Sequence, residues 1–304
     1  MIPANETFGG SFPFEPHFST APGFRLHYVD EGNGEPIVCL HGEPTWGYLY
    51  RRFIPVLAHT HRIVVPDHMG FGKSETPPDR EYTLRTHVEN LEALIGELDL
   101  HDITFVLQDW GGAIGSAYTV RNPARVKRLF LINTLLVDPA PPAADFAPRL
   151  FNSRWFQWVT KHHGEGTLEQ VLGNLGSTVL SVMKIIGFEN SAAVDDAWID
   201  AYSAPFPARE DCRGAIAFPL DVVNGTAMQF DIGTEADFEK LWRKPAMLAE
   251  GMRDHAIPPD LAIERFRARY PHAPVVELPT AGHFCQEDAP ETLIALLQQF
   301  LQSS

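Results

Sequence analysis

The chain is short of the features that mark several large classes of protein. Its three cysteines, Cys39, Cys212 and Cys285, are widely spaced and form no CxxC pair. That excludes a disulfide framework and a cysteine zinc site. Nowhere is there an uninterrupted apolar run of about 18 residues, so no transmembrane helix is expected. The first residues, Met1 to Gly10, lack a basic segment followed by an apolar one, so the expectation is a soluble, cytoplasmic protein without a signal peptide. Positive charge is also scarce. Lys plus Arg is 24 against 39 Asp plus Glu, a net charge of −15 with no basic cluster to offset it. Such a surface repels phosphate backbones and anionic lipid, which argues against nucleic-acid and membrane partners. No cofactor or metal is expected. Gly70-Phe-Gly-Lys-Ser74 has the wrong spacing for a phosphate loop, and His162-His163 are adjacent, so they do not share a helix face and read as a solvated turn.

What is present is ordinary globular composition, 44% hydrophobic and 21% charged, in a length that suits one large core. Residues 1 to about 20, rich in Pro, Phe and Gly, read as an arm laid over the surface. Phe24 to Val29 alternates like a half-buried strand, and Pro36–Leu40 and Arg62–Pro66 read as buried strands. Leu84, Val88, Leu91, Leu94, Ile95 and Leu98 keep helical spacing behind Thr83 as N-cap. A strand at Ile103–Leu107, a helix ending near Asn122-Pro123 and a strand at Arg128–Ile132 follow. Strands alternating with helices imply an α/β fold with a mostly parallel central sheet flanked by helices. Near Asp138 the texture changes. Pro139, Pro141, Pro142 and Pro148 break regularity, and a helical stretch with Trp155, Phe156, Trp158 and Trp198 runs to about Asn224. The α/β rhythm returns with a strand at Pro245–Glu250, a helix from Pro258-Pro259, a strand at Pro274–Leu278 and a last helix over Pro290 to Leu301. The expected organisation is a core of residues 1–135 and 225–304 with a helical cap, 136–224, inserted into it.

The most informative segment is Leu107-Gln-Asp-Trp-Gly111. It has the strand, tight turn and helix of a nucleophile elbow, with Asp109 where esterases carry serine. A carboxylate is ionised at neutral pH and attacks without a base. Serine displacing a leaving group from saturated carbon would form an ether that water cannot clear. Aspartate forms an ester whose carbonyl water can attack, so the elbow suits hydrolytic substitution at an sp³ carbon.

Four segments in order, His41-Gly-Glu-Pro-Thr-Trp46, Asp67-His-Met-Gly-Phe-Gly-Lys-Ser74, Gln108-Asp-Trp-Gly-Gly112 and Ala281-Gly-His283, resemble the α/β-hydrolase fold and within it the haloalkane dehalogenases. The resemblance covers most of the chain outside the cap. It implies a covalent alkyl ester on Asp109, with His283 as the base that activates water. It implies Asp254 as the acid that orients His283, preferred over Asp138; the alternative acid site after the preceding strand reads Asn133-Thr134 and has no carboxylate. The amides of Trp110 and Glu43 are the expected oxyanion donors. The Glu43 side chain either holds the hydrolytic water or belongs to a buried hydrogen-bond network. Cys285, two residues past His283, is expected to be a buried structural thiol.

A departing halide needs donors that neither attack nor titrate, and an indole N–H qualifies. Trp110 is the first candidate, and Trp155 or Trp158 the second; spacing does not separate them, and packing within the cap explains both equally well. The implied partners are a small apolar halogenated substrate and the halide product. An epoxide hydrolase is the nearest alternative, but that chemistry wants two cap tyrosines and only Tyr202 lies clearly in the cap. A ligand-binding protein that keeps the fold without turnover is a third reading.

Overall fold

The computed structural model describes residues 2–140 and 144–303. Pro141 and Pro142, expected to break regularity at the start of the insertion, lie outside the described residues. Eight strands form one sheet: β1 (His17–Ser19), β2 (Leu26–Gly32), β3 (Pro36–Leu40), β4 (Arg62–Pro66), β5 (Ile103–Gln108), β6 (Val126–Ile132), β7 (Ala246–Gly251) and β8 (Val275–Leu278). Their order is β1-β2-β4-β3-β5-β6-β7-β8, antiparallel where β2 pairs with β1 and β4 and parallel from β4 through β8. The central β5 is buried at every position, which is why it reads as a run of β-branched and apolar residues broken only by Gln108 at its end. Helices Leu84–Glu97, Trp110–Arg121, Pro259–Arg269 and Pro290–Ser303 flank the sheet, and Thr83 caps the first by accepting from the Thr86 N–H. Among the described residues no helix is long and apolar enough to cross a membrane.

Two local expectations change. Leu26 to Val29 of β2 is buried throughout, without the half-buried alternation expected of Phe24 to Val29. The N-terminal segment is the reason. It forms β1 against β2 and lays His17 on Tyr28 and Phe18 near His27 on opposite faces, ring centroids 5.4 Å apart in both cases. His162 and His163 lie in the last turn of a helix, Arg154–Gly164, and His162 Nδ1 sits 2.7 Å from Thr167 Oγ1. They are therefore helical, in place of the solvated turn expected. The rest of the N-terminal segment is an arm: Phe8 and Phe12 pack on Trp46 and Tyr48, and the Lys73 ammonium donates to the carbonyls of Ala4 and Glu6, 2.8 Å each.

Between β6 and β7 the chain inserts a run of helices, among them Arg154–Gly164, Leu175–Ile186, Asp196–Ser203 and Arg213–Val223. Polar joints tie this insertion to the sheet. Trp46 Nε1 donates to the Ala201 carbonyl at 2.8 Å, and the Tyr202 hydroxyl donates to Glu287 Oε1 at 2.6 Å. Glu287, fully buried, also takes both guanidinium nitrogens of Arg51. At the entry to the insertion Asp138 pairs with Arg269 and Arg265.

Glu287→Ala should destabilise strongly, because Arg51, whose side chain is 8% exposed, would keep a buried cation with no counter-charge. A loss of about 3–5 kcal/mol is expected for such a broken buried pair, read from urea unfolding. A loss below about 1 kcal/mol, the range of surface pairs, would show that water already solvates the pair.

Candidate active site

Strand β5 delivers Asp109 at its C-terminal end, with φ +50° and ψ −123°. An L residue in that region carries strain on the order of 1–3 kcal/mol, so the surroundings must enforce it. They do so from both sides. The Asp109 N–H donates to the Asn133 carbonyl at 3.2 Å, and its carbonyl accepts from Thr134 Oγ1 at 2.5 Å and from the Gly112 N–H at 2.9 Å. Two close approaches then require glycine. A Cβ on Gly42 would collide with Asp109 Oδ1, and one on Gly111 with the Leu40 carbonyl.

His283 is fully buried between two carboxylates. Its Nδ1 lies 2.7 Å from Asp254 Oδ2 and its Nε2 3.3 Å from Asp109 Oδ2. Asp254 is held by amides: Oδ1 accepts from Ala256 and Ile257 at 2.7 and 3.0 Å, while Asn133 Nδ2 donates to Oδ2 at 2.9 Å. Burial alone would push the imidazole pKa down, but Asp254 and Asp109 together outweigh it and raise it to about 10. Asp138, the less favoured acid, has its carboxylate occupied by Arg269 and Arg265. Glu250, buried beside Asp254, is pushed well above the usual carboxylate range by burial and by Asp254, which favours its protonated form. Cys285 is buried, with its Sγ 3.0 Å from Asn133 Oδ1.

The loop after β3 supplies a further donor: the Glu43 N–H reaches Asp109 Oδ1 at 2.8 Å. Two neutral histidines set this loop. His68 donates from Nε2 to the His41 carbonyl at 2.9 Å, and its N–H donates to His41 Nε2 at 3.0 Å. His41 Nδ1 is then the donor to the Gly42 carbonyl, 3.1 Å away. Burial keeps both uncharged, His68 down at about 4 and His41 well below its ordinary value. The Glu43 carboxyl is buried with neither oxygen hydrogen-bonded among the described residues, and burial together with Asp109 pushes its pKa well up, which favours the neutral acid.

Trp110 opens the helix after the elbow, and its ring stacks on Phe218 of the insertion, centroids 4.5 Å apart and planes within 10°. The structure thus gathers Asp109, His283, Asp254, Glu43 and Trp110. Trp155 and Trp158 lie on the helix Arg154–Gly164, where the Trp155 N–H donates to the carbonyl of His255, the neighbour of Asp254, at 2.9 Å. They stack on each other at 5.4 Å, Trp158 lies 4.6 Å from His162, and neither makes a ring contact with Trp110 among the described residues. Sequence reasoning missed Phe218 and the bracing role of Asn133. Phe218 sits beside Pro219 within its helix, where no periodicity marks the face that meets Trp110. Asn133 was legible as a position after β6, but a neutral side chain there gave no sign that it would donate to Asp254.

Residues 35–290 match the family described as alpha/beta hydrolase fold. Among curated proteins, a haloalkane dehalogenase of Psychrobacter cryohalolentis is 32% identical over 96% of this chain and 94% of its own length. A cis-3-alkyl-4-alkyloxetan-2-one decarboxylase of Shewanella oneidensis is 32% identical over 95% of this chain and 89% of its own. Among solved structures, a tetrameric haloalkane dehalogenase of Paraglaciecola agarilytica superposes with a TM-score of 0.75 at 30% identity, covering 97% of this chain and 94% of that one.

The raised pKa of His283 has a stability consequence. A group whose folded-state pKa exceeds its unfolded value of about 6.5 contributes stability that is complete below that value and is lost as pH climbs through about 10. The unfolding free energy of the wild type minus that of His283→Gln should therefore fall between these pH values. A difference that stays flat across the interval would mean that the two carboxylates do not hold the imidazolium.

Proposed function

The chain belongs to the α/β-hydrolase family and within it to the haloalkane dehalogenases, and from that premise we propose how its site works. The protein is a hydrolase that converts haloalkanes to alcohol and halide. The observation that carries the residue assignment is the split environment of one carboxylate: Asp109 Oδ1 is taken by the Glu43 N–H, whereas Oδ2 faces His283. In our reading Oδ2 attacks the carbon bearing halogen, the new C–O bond forms as the C–halogen bond breaks, and halide leaves toward the indole N–H of Trp110. Esterification removes the charge of Asp109, one of the two carboxylates that raise the pKa of His283. With that charge gone the imidazolium gives its proton to solvent, and the neutral imidazole is a competent base only once there is an ester to hydrolyse. His283 then takes a proton from water, the hydroxide oxygen bonds to the Asp109 carbonyl carbon, and the N–H groups of Glu43 and Trp110 stabilise the oxyanion at Oδ1. Collapse breaks the bond from the carbonyl carbon to the alkoxide oxygen, the imidazolium gives its proton to that alkoxide, and the acid proton left on Asp109 passes to His283, giving alcohol and restoring the carboxylate and the imidazolium. Asp254, held by Asn133 and two amides, orients the imidazole and stabilises its charged form. The neutral Glu43 carboxyl, its oxygens unpartnered, is the group we assign to hold the attacking water.

In the same reading residues 136–224 form a cap over a core of residues 1–135 and 225–304, and the substrate is a small apolar halogenated molecule. Phe218 brings the cap to Trp110. The ring stack of Trp155 on Trp158 does not engage an indole N–H, and one or the other is our second candidate halide donor. Epoxide opening is disfavoured because the Tyr202 hydroxyl is engaged by Glu287. A second reading draws on the decarboxylase relative. Attack by Asp109 on the sp³ ring carbon of an oxetanone breaks its C–O bond and frees a carboxylate. Loss of carbon dioxide from that carboxylate then expels Asp109 and leaves an alkene.

His283→Gln should release about one equivalent of halide per site from a bromoalkane and then stop, leaving a substrate-sized adduct on Asp109 visible by intact mass and peptide mapping. Repeated turnover by this variant, or an adduct elsewhere, would overturn the two-step mechanism. An alkene from a cis-dialkyl oxetanone, with no halide from bromoalkanes, would favour the second reading. Trp110→Phe keeps the ring stack and deletes one N–H, so bromide binding followed by fluorescence quenching should weaken by about 1–3 kcal/mol. Unchanged affinity would remove Trp110 from the halide site.

A further inference from the structure

Behind the base, one carboxylate joins three stretches of chain. Asp288, at the end of the short helix Cys285–Asp288, accepts through Oδ2 from the Gly282 N–H at 2.7 Å. Through Oδ1 it accepts from the N–H groups of Asn190 and Glu189, at 2.8 and 3.1 Å. The first donor immediately precedes His283, and the other two lie in the insertion between its helices Leu175–Ile186 and Asp196–Ser203. A reciprocal bond closes the joint, from the His283 N–H to the Gly187 carbonyl at 2.8 Å. Gly187 has φ +128°, and a Cβ there would lie 3.0 Å from the Arg253 carbonyl and 3.3 Å from the His283 nitrogen. The neighbouring Ile186 carbonyl accepts from the His255 N–H at 2.9 Å. Residues 186–190 are thus wedged between the loop of the acid and the loop of the base, and Asp288 fastens the wedge.

We propose that Asp288 is a positioning residue for ester hydrolysis, fixing the His283 loop against residues 187–190 of the insertion so that one joint both seats the insertion and aims the base. The proposal rests on the two-step reading above and separates its steps. Halide displacement needs Asp109 and its own supports, Asn133, Thr134 and the Glu43 amide, none of which bonds to Asp288. Water activation needs the His283 imidazole at the ester, and the backbone that carries it is held by Asp288. Removing the carboxylate leaves three amide donors without that partner and frees the loop, so the loss falls on the second step.

The test is rapid-quench measurement of halide release from a bromoalkane by the wild type, Asp288→Ala and Asp288→Asn, with intact mass at steady state. In Asp288→Ala the first equivalent of halide should appear within about twofold of the wild-type rate, later turnover should slow by about tenfold or more, and alkyl-Asp109 should accumulate. Asp288→Asn keeps one acceptor oxygen and should fall between the two; it carries the measurement if the alanine variant does not fold. Equal slowing of both phases marks a merely structural residue and overturns the proposal, as do two unchanged phases. The reading beneath it fails separately, and takes the proposal with it, if the wild type releases no halide or His283→Gln builds no adduct on Asp109.

Discussion

A carboxylate can reach a substrate from the end of a fully buried strand only if the backbone turns sharply under it, and the rest of the site follows from that turn. Asp109 sits at positive φ with its amide and carbonyl both captured by residues 133 and 134 at the end of the adjacent strand. The neighbouring loop must come close enough to donate an amide to the carboxylate, which forces glycine at position 42. Because β5 lies between β3 and β6, the same hydrogen-bonded ladder that builds the core also aligns the oxyanion donor on one side and the brace on the other.

The charges follow a similar logic. Five ionisable side chains crowd the site, Glu43, Asp109, Glu250, Asp254 and His283, and low dielectric makes each unneeded charge costly. Burial favours the neutral forms of Glu43 and Glu250, which leaves the negative charge to the carboxylates on either side of the imidazole. Asp254 has four donors and depends little on the substrate, whereas in the mechanism we propose Asp109 loses its charge on alkylation. In that mechanism the basicity of His283 follows the chemical state of Asp109, which keeps acid and base functions in sequence without any movement of the chain.

The sheet was legible in the sequence because strands buried on both faces are continuous apolar runs, and the elbow because tight turn, aspartate and small residues fall within one short segment. Asp254 and His283 were legible as positions after β7 and β8, since the fold places loops from those strand ends together. The insertion was harder to read. Several short helices joined by irregular turns leave the phase of each helix undetermined, so spacing said nothing of whether Trp155, Trp158 or Phe218 faces the nucleophile. Likewise the burial of β2 depends on an N-terminal segment folding back over it, a long-range contact that alternation within β2 does not register. The neutral Asn133 and the carboxylate of Asp288 act through backbone groups of distant segments, and backbone partners leave no trace in residue type.

The insertion is fastened at its entry by Asp138 with Arg269, along its middle by Asp288, and further on by Trp46 with Ala201 and by Tyr202 with Glu287. A hinge motion would have to break several of these bonds at once, and two of them, Trp46 with Ala201 and Tyr202 with Glu287, are buried from water. Rotation of single side chains, fast and local, is the motion these joints leave to the insertion.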